Sequence, residues 1–139
     1  MQKKEYKKNE IIFQPGQKEY SLYKIISGKV LSLMVHGSKV TPIFMNTPGN
    51  FVGSTLFFLN VEVKTYAVAI EDTSVIIYDQ KDLNENFPPW LKSMANSMAR
   101  KTYEQINQLV ERGIKKSFQG IRPLTIEEQR HYLQILKLI

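Results

Sequence analysis

Tyr23-Lys24-Ile25-Ile26-Ser27-Gly28-Lys29-Val30 decides how this chain is read, because two strand-like apolar runs meet there at a glycine. The turn signal Gln14-Pro15-Gly16-Gln17 lies just upstream, with Glu10-Ile11-Ile12-Phe13 before it, and Pro48-Gly49-Asn50-Phe51-Val52-Gly53 continues the rhythm downstream. From residue 10 to 79, β-branched and aromatic residues come in runs of about 4 to 8 between Gly, Pro, Asn and Asp clusters, the mark of short strands joined by turns. The pattern predicts a mainly β fold with helices, a compact β-roll of the jelly-roll, double-stranded β-helix kind. Residues 29–35 and 40–45 flank His36-Gly37-Ser38-Lys39, whose glycine can take positive φ, so a hairpin is expected there. Residues 65–70 and 74–78 flank Glu71-Asp72-Thr73 in the same way, and a second hairpin is expected.

The chain's 139 residues, 42% of them apolar, suffice for one domain with an appended helical segment. The longest uncharged apolar run, residues 55–61, is far shorter than the roughly 20 residues that cross a bilayer, so no membrane span is expected. Residues 1–8 are basic but no apolar core follows them, which is unlike a secretory signal, and a cytoplasmic address is the default. With no cysteine there is no disulfide framework, thiolate zinc site or cysteine-ligated iron–sulfur cluster. His36 and His131 are the only imidazoles, and they fall in a turn and a helix, so no metal site is expected. An enzyme of the cupin kind would need convergent histidines or paired carboxylates, which the sequence lacks. The net charge of +6 sits mainly in Lys3, Lys4, Lys7 and Lys8 and in Arg112, Lys115, Lys116 and Arg122. Such clusters attract polyanions, yet short lysine runs are equally solvated terminal faces.

The alternation ends after Asp79, and Phe87-Pro88-Pro89-Trp90 places prolines where a helix can begin. A long helix is expected from there to about residue 111, with Gly113 as its stop. Leu91, Met94, Met98, Ile106 and Leu109 lie near one stripe of that helix, which serves either its own roll or a partner. Gly120-Ile121-Arg122-Pro123 reads as a linker, and Thr125-Ile126-Glu127-Glu128 has the capping-box spacing that opens another helix. Ile126, Leu133, Leu136 and Ile139 give that helix an apolar side with nothing after it to cover it, which suggests a truncated domain or an oligomer contact. The expected organisation is a roll over 1–86, a long helix over 87–113, and a linker and further helix over 114–139.

Gly28, the Gly49-Asn50-Phe51-Val52-Gly53 turn and the Glu127-Glu128-Gln129-Arg130-His131-Tyr132-Leu133 segment together resemble the cyclic-nucleotide-binding-like domains of the Crp/Fnr (catabolite activator) transcription regulators, in particular a subgroup with a degenerate phosphate-binding cassette. The resemblance runs from Glu10 through the long helix to the Thr125 helix. In nucleotide-binding members, a short helix after a glycine offers backbone N–H groups to the cyclic phosphate, a glutamate takes a ribose hydroxyl and an arginine pairs with the phosphate. The matching residues are 51–56 and 64–68, with Ser54 in the glutamate's place and Lys64 in the arginine's. Serine offers one hydroxyl instead of a carboxylate, and lysine a point charge instead of a two-pronged donor. Tyr66 stands where binders keep a small residue, and the two hydroxyls that touch the purine in cyclic-AMP receptors fall on Gln105 and Ile106. The resemblance therefore implies a ligand site at Gly53, Ser54, Thr55, Lys64 and Thr65 for a small anionic or nucleotide-like effector, without tight cyclic-AMP binding and with no other cofactor. Cysteine-ligated iron–sulfur sensing, known in the same family, is excluded by composition.

The resemblance further implies a homodimer whose interface is the Leu91, Met94, Met98, Ile106 and Leu109 stripe, with DNA as a partner only if a helix-turn-helix follows Ile139. Two functions are carried forward. The first is the sensor and dimerisation domain of a Crp/Fnr-like regulator. The second is a stand-alone, ligand-free interaction or regulatory module on the same roll, and neither is an enzyme.

Overall fold

The computed structural model describes residues 1–17, 20–61, 65–112 and 122–139. Its eight described strands form two four-stranded antiparallel sheets, stacked as a roll. The first sheet has the order β1 (Gln2–Tyr6), β8 (Thr73–Tyr78), β3 (Leu22–Ser27), β6 (Phe51–Val52). The second has the order β2 (Ile11–Phe13), β7 (Thr65–Ala69), β4 (Val30–His36), β5 (Lys39–Asn46). Every chain-consecutive pair except β4–β5 changes sheet, and this winding is what makes the body a jelly-roll-like β-roll. Between the sheets, Ile25, Val30, Ala67, Ala69 and Val75 are fully buried, with Tyr6, Ile12 and Phe13 around them. Each larger side chain buried in this way contributes about 1.5–3 kcal/mol of transfer free energy.

The β4–β5 hairpin forms as expected, pairing His36 with Lys39 across Gly37-Ser38. The expected second hairpin does not. β7 pairs with β2 and β4, whereas β8 pairs with β1 and β3, so residues 70–72 carry the chain from one sheet to the other. Gly28 makes the reverse kind of passage between β3 and β4, and the two crossings lie against each other. The buried Thr73 hydroxyl accepts from the Lys29 N–H at 3.2 Å and reaches the Glu71 carbonyl at 2.8 Å. The Ile70 N–H bonds the Lys29 carbonyl at 3.0 Å. A Cβ on Gly28, which has φ +93, would lie 2.3 Å from the Thr73 Oγ1 and 2.5 Å from the Asp72 carbonyl. Glycine is required there by contact as well as by backbone angle.

Two elements lie outside the sequence expectations. The basic start is strand β1, with Tyr6 in the core and the Lys4 Nζ 4.8 Å above its ring. α2 (Gln80–Asn86) is opened by a capping box in which the Asp79 carboxylate accepts from the Asp82 N–H at 2.8 Å, and Asp82 returns the bond to Asp79 N–H at 3.0 Å. The long helix is α3 (Pro89–Arg112), starting at the expected prolines, while Gly113 and the 120–121 half of the linker lie outside the described residues.

α4 (Ile126–Ile135) begins with the expected capping box, Thr125 Oγ1 accepting from the Glu128 N–H at 3.1 Å and Glu128 accepting from the Thr125 N–H at 3.1 Å. Its apolar side is not left open. Leu133 and Leu136 are buried on the outer face of the second sheet against Leu31, Leu33, Val40 and Val68, while Ile126 and Ile139 stay exposed. Gln129 fixes the helix at the edge of that sheet, its Oε1 accepting from the Val40 N–H at 3.0 Å.

Candidate functional site

β6 ends at Gly53, and the chain turns there into α1 (Ser54–Leu59). Gly53 caps the helix in the left-handed region at φ +85, and a Cβ would sit 3.0 Å from the Ser21 carbonyl, so both conformation and space select glycine. The first α1 bond runs from the Phe57 N–H to the Gly53 carbonyl at 3.0 Å, which leaves the Ser54, Thr55 and Leu56 N–H groups outside the helical ladder. α2 holds the far end of α1, Gln80 Nε2 donating to the Phe57 carbonyl at 2.8 Å. α3 packs across α1.

These elements enclose a cavity of about 210 Å³. Gly53, Ser54, Thr55 and Thr65, four of the expected ligand residues, line it together. Lys64, the fifth, lies outside the described residues. Phe13, Phe44 and Phe51 are among the apolar residues lining it, and Phe13 is backed by the Tyr23 ring, stacked at 6.0 Å between centroids. Burial raises the pKa of the Tyr23 phenol, with the nearby Tyr6 adding to the rise, so it stays neutral at ordinary pH. Thr55 and Thr65 are about nine-tenths buried. Among the described residues no three His, Cys, Asp or Glu side chains come together as a metal site.

Four more polar or aromatic contributors, Ser32, Phe44, Asn46 and Thr102, were not legible as site residues. Ser32 Oγ accepts from Asn46 Nδ2 at 3.2 Å, and the same amide reaches the Val30 carbonyl at 3.4 Å. A serine inside the apolar run Val30-Leu31-Ser32-Leu33-Met34 was the available signal, since a buried hydroxyl needs a partner or a purpose. From α3, Ile106 and Thr102 face the cavity, and Thr102 donates its hydroxyl to the Met98 carbonyl at 3.2 Å. Gln105, paired with Ile106 in the resemblance, is exposed on another side of the helix. Tyr66 does not narrow the site, because it follows Thr65 in β7 and therefore faces outward, under α4.

A second, apolar groove of about 360 Å³ runs along α3 between α1 and α2, lined by Leu22, Phe58, Leu83, Phe87, Leu91 and Met98 among others. Phe51, Ser54 and Thr102 line both hollows, so one thin wall separates them. The expected dimer stripe is divided by this arrangement. Met94 and Met98 are 49% and 61% exposed and adjoin Trp90 at 67%, and Leu91 is half-buried in the groove. Ile106 packs on its own roll against Met34, Ile43 and Phe44. The Leu109 side chain lies outside the described residues. Among the described residues no helix is long and apolar enough to cross a membrane.

Solved structures share this architecture. The catabolite activator protein of Thermus thermophilus is 24% identical with a TM-score of 0.64, over 79% of this chain and 52% of that one. A regulatory subunit of a cAMP-independent protein kinase A from Trypanosoma cruzi, bound to guanosine, is 18% identical with a TM-score of 0.63, over 81% and 41%. The EAL enzyme Bd1971 in its cAMP-bound form is 19% identical with a TM-score of 0.63, over 78% and 30%. The chain thus spans 30% to 52% of the length of these three, and at such identity the likeness is one of fold. No curated protein sequence matches the chain. The family described as "Cyclic nucleotide-binding domain" matches residues 3–87, from β1 to the end of α2. The chain belongs to the cyclic nucleotide-binding domain family.

Proposed function

We propose that this chain is the sensor and dimerisation domain of a Crp/Fnr-like transcription regulator, acting in the cytoplasm and without catalysis of its own. A nucleotide-like effector occupies the cavity bounded by Gly53, Ser54, Thr55 and Thr65, and a second copy packs on the exposed side of α3. The observation that carries the reading is the shared wall: Phe51, Ser54 and Thr102 touch both the cavity and the groove beside Met98. A ligand that moves this wall changes the surface on which α3 meets its partner, which shifts the balance between two packings of the dimer. DNA contact in this reading comes from a helix-turn-helix following Ile139. The Ser54 and Lys64 replacements support a cassette of the degenerate kind that does not hold cyclic AMP tightly.

Sedimentation over a range of concentrations tests the dimer. Met98→Glu, which places a charge on the exposed stripe, should shift the protein to monomer, whereas Ser97→Glu, one position round the helix, should not. A wild-type chain that stays monomeric at every concentration overturns the dimer reading. The packing of α4 on the second sheet favours a second reading, a self-contained interaction or regulatory module. A non-DNA partner retained by the full chain and lost on Trp90→Ala would support that one.

A further inference from the structure

We infer that the apolar groove between α1, α2 and α3 binds an unbranched alkyl carboxylate, with its chain along α3 and its head at Lys92. The inference concerns a second site and does not depend on what the cavity beside Gly53 holds. The room for a ligand comes from α3. Leu91, Ala95 and Ala99 follow one another at four-residue spacing, so they share the helix face that lines the groove, and two of the three are alanines. The other wall is made of large side chains, Leu22, Phe58, Leu83 and Phe87, which belong to one packed cluster. Methyl groups facing leucine and phenylalanine leave a hollow of about 360 Å³, within the roughly 300–1,000 Å³ of sites that take small molecules. The exposed Met98 side chain gives it an unbranched, adaptable lip.

The head position follows from Lys92. This side chain lines the groove half-buried, and its Nζ donates to the Asn84 Oδ1 of α2 at 2.7 Å. An ammonium has three N–H donors, and the neutral amide takes one of them and cancels none of the charge. Lysine suits the rim of an apolar hollow, because its alkyl stem tolerates apolar surface while the ammonium keeps to water. A carboxylate placed there gains a charge-assisted hydrogen bond, the stronger kind. Thr102, at the other end of the α3 lining, stands about 15 Å from Lys92 along the axis at about 1.5 Å per residue. The lining therefore runs lengthwise, which suits a flexible chain with its charge at one end.

Calorimetric titration of the full chain with hexanoate, octanoate, decanoate and dodecanoate, each below micelle formation, tests this. Affinity should rise about fourfold for each methylene added, until the groove is full and the rise stops. Decanol, with the same chain and no charge, should bind about tenfold more weakly than decanoate. Lys92→Gln should remove that difference while leaving decanol binding unchanged, and it reads the site without altering the packing of the walls. Ala95→Phe, which fills the hollow from α3, should weaken decanoate about tenfold or more at an unchanged melting temperature. No binding of any carboxylate up to its solubility limit overturns the inference. Decanoate binding that ignores Lys92→Gln or a folded Ala95→Phe variant also overturns it, because the ligand would then lie elsewhere. Decanol binding as tightly as decanoate to the wild-type chain overturns it as well, since Lys92 would then hold no head group. If the carboxylates fail to bind and Ala95→Phe instead alters the sedimentation of the chain, the groove belongs to a second copy and the inference falls.

Discussion

The two sheets of the roll are alike inside and opposite outside. The outer side of the first sheet carries Lys3, Ile76, Lys24 and Phe51 in one cross-strand row and Glu5 beside Ser74 in the next, open to solvent. Among the described residues, cover is seen at its Leu22–Tyr78 end, from Leu83 of α2 and Phe57 of α1. The outer side of the second sheet carries Met45, Leu31 and Val68 in one row and Leu33 with Tyr66 in the next, all under α4. A sheet face with lysine and glutamate on it is satisfied by water, whereas one of leucine and valine needs another layer. The covering helix is therefore demanded by the strands, and β4 shows why. Val30 through Met34 are all buried because alternate residues fill the interior and the α4 contact.

The strongest way to break this two-sided arrangement is at the passage between the sheets. Gly28→Ala puts a methyl group into Thr73 and Asp72, and it should cost about 3 kcal/mol or more in urea unfolding. Gly37→Ala, in the β4–β5 turn with nothing within 4 Å of a Cβ, should cost only about 1 kcal/mol. Similar losses at the two glycines would mean that the crossings are not locked together.

Next in size is the contrast between the outer faces. Leu133→Ala should destabilise by about 2–4 kcal/mol and speed hydrogen exchange across the second sheet. Ile76→Ala on the open face should cost less than about 1 kcal/mol. If the two substitutions cost the same, α4 does not hold its face. A smaller effect belongs to the edge contact. Gln129→Ala leaves the Val40 N–H without its side-chain partner and should cost about 1 kcal/mol, seen as faster exchange of that amide.

The smallest effect is one of pH. The Arg122 guanidinium and the Thr125 N–H hold the Glu128 carboxyl at a pKa of about 2 against an ordinary 4.5. Because the folded value is the lower one, this support for α4 is complete above about pH 4.5 and disappears as the pH falls toward 2. The pair is exposed, so the loss is modest, and Glu128→Gln should flatten it in acid-titrated exchange of α4 while leaving the first sheet's acid response unchanged.

Much of the fold was legible because its signals are local. Gly37 marked its turn, Pro88-Pro89 marked the start of α3, and Thr125 with Glu128 marked the start of α4 within a single helical turn. β1 was missed because Lys3, Lys4, Lys7 and Lys8 read as a solvated tail, although charged residues are what an edge strand displays. α2 was missed because it is seven residues long with Leu83 as its one buried side chain, too little for a periodic pattern. For the candidate site, the Gly53-Ser54-Thr55 turn was visible as contiguous sequence. Ser32, Asn46 and Thr102 were not, since they reach one cavity from β4, β5 and α3.

Taken by itself, the sequence determined where strands, turns and helix starts fall, because backbone angles at glycine and proline and capping bonds within four residues are short-range physics. Tertiary structure alone decided that β7 and β8 part into different sheets, that Ile106 faces inward while Met98 does not, and that α4 closes the second sheet. Those outcomes depend on which apolar face meets which between segments distant in the chain, and burial free energy carries no label for its partner until the surfaces come together.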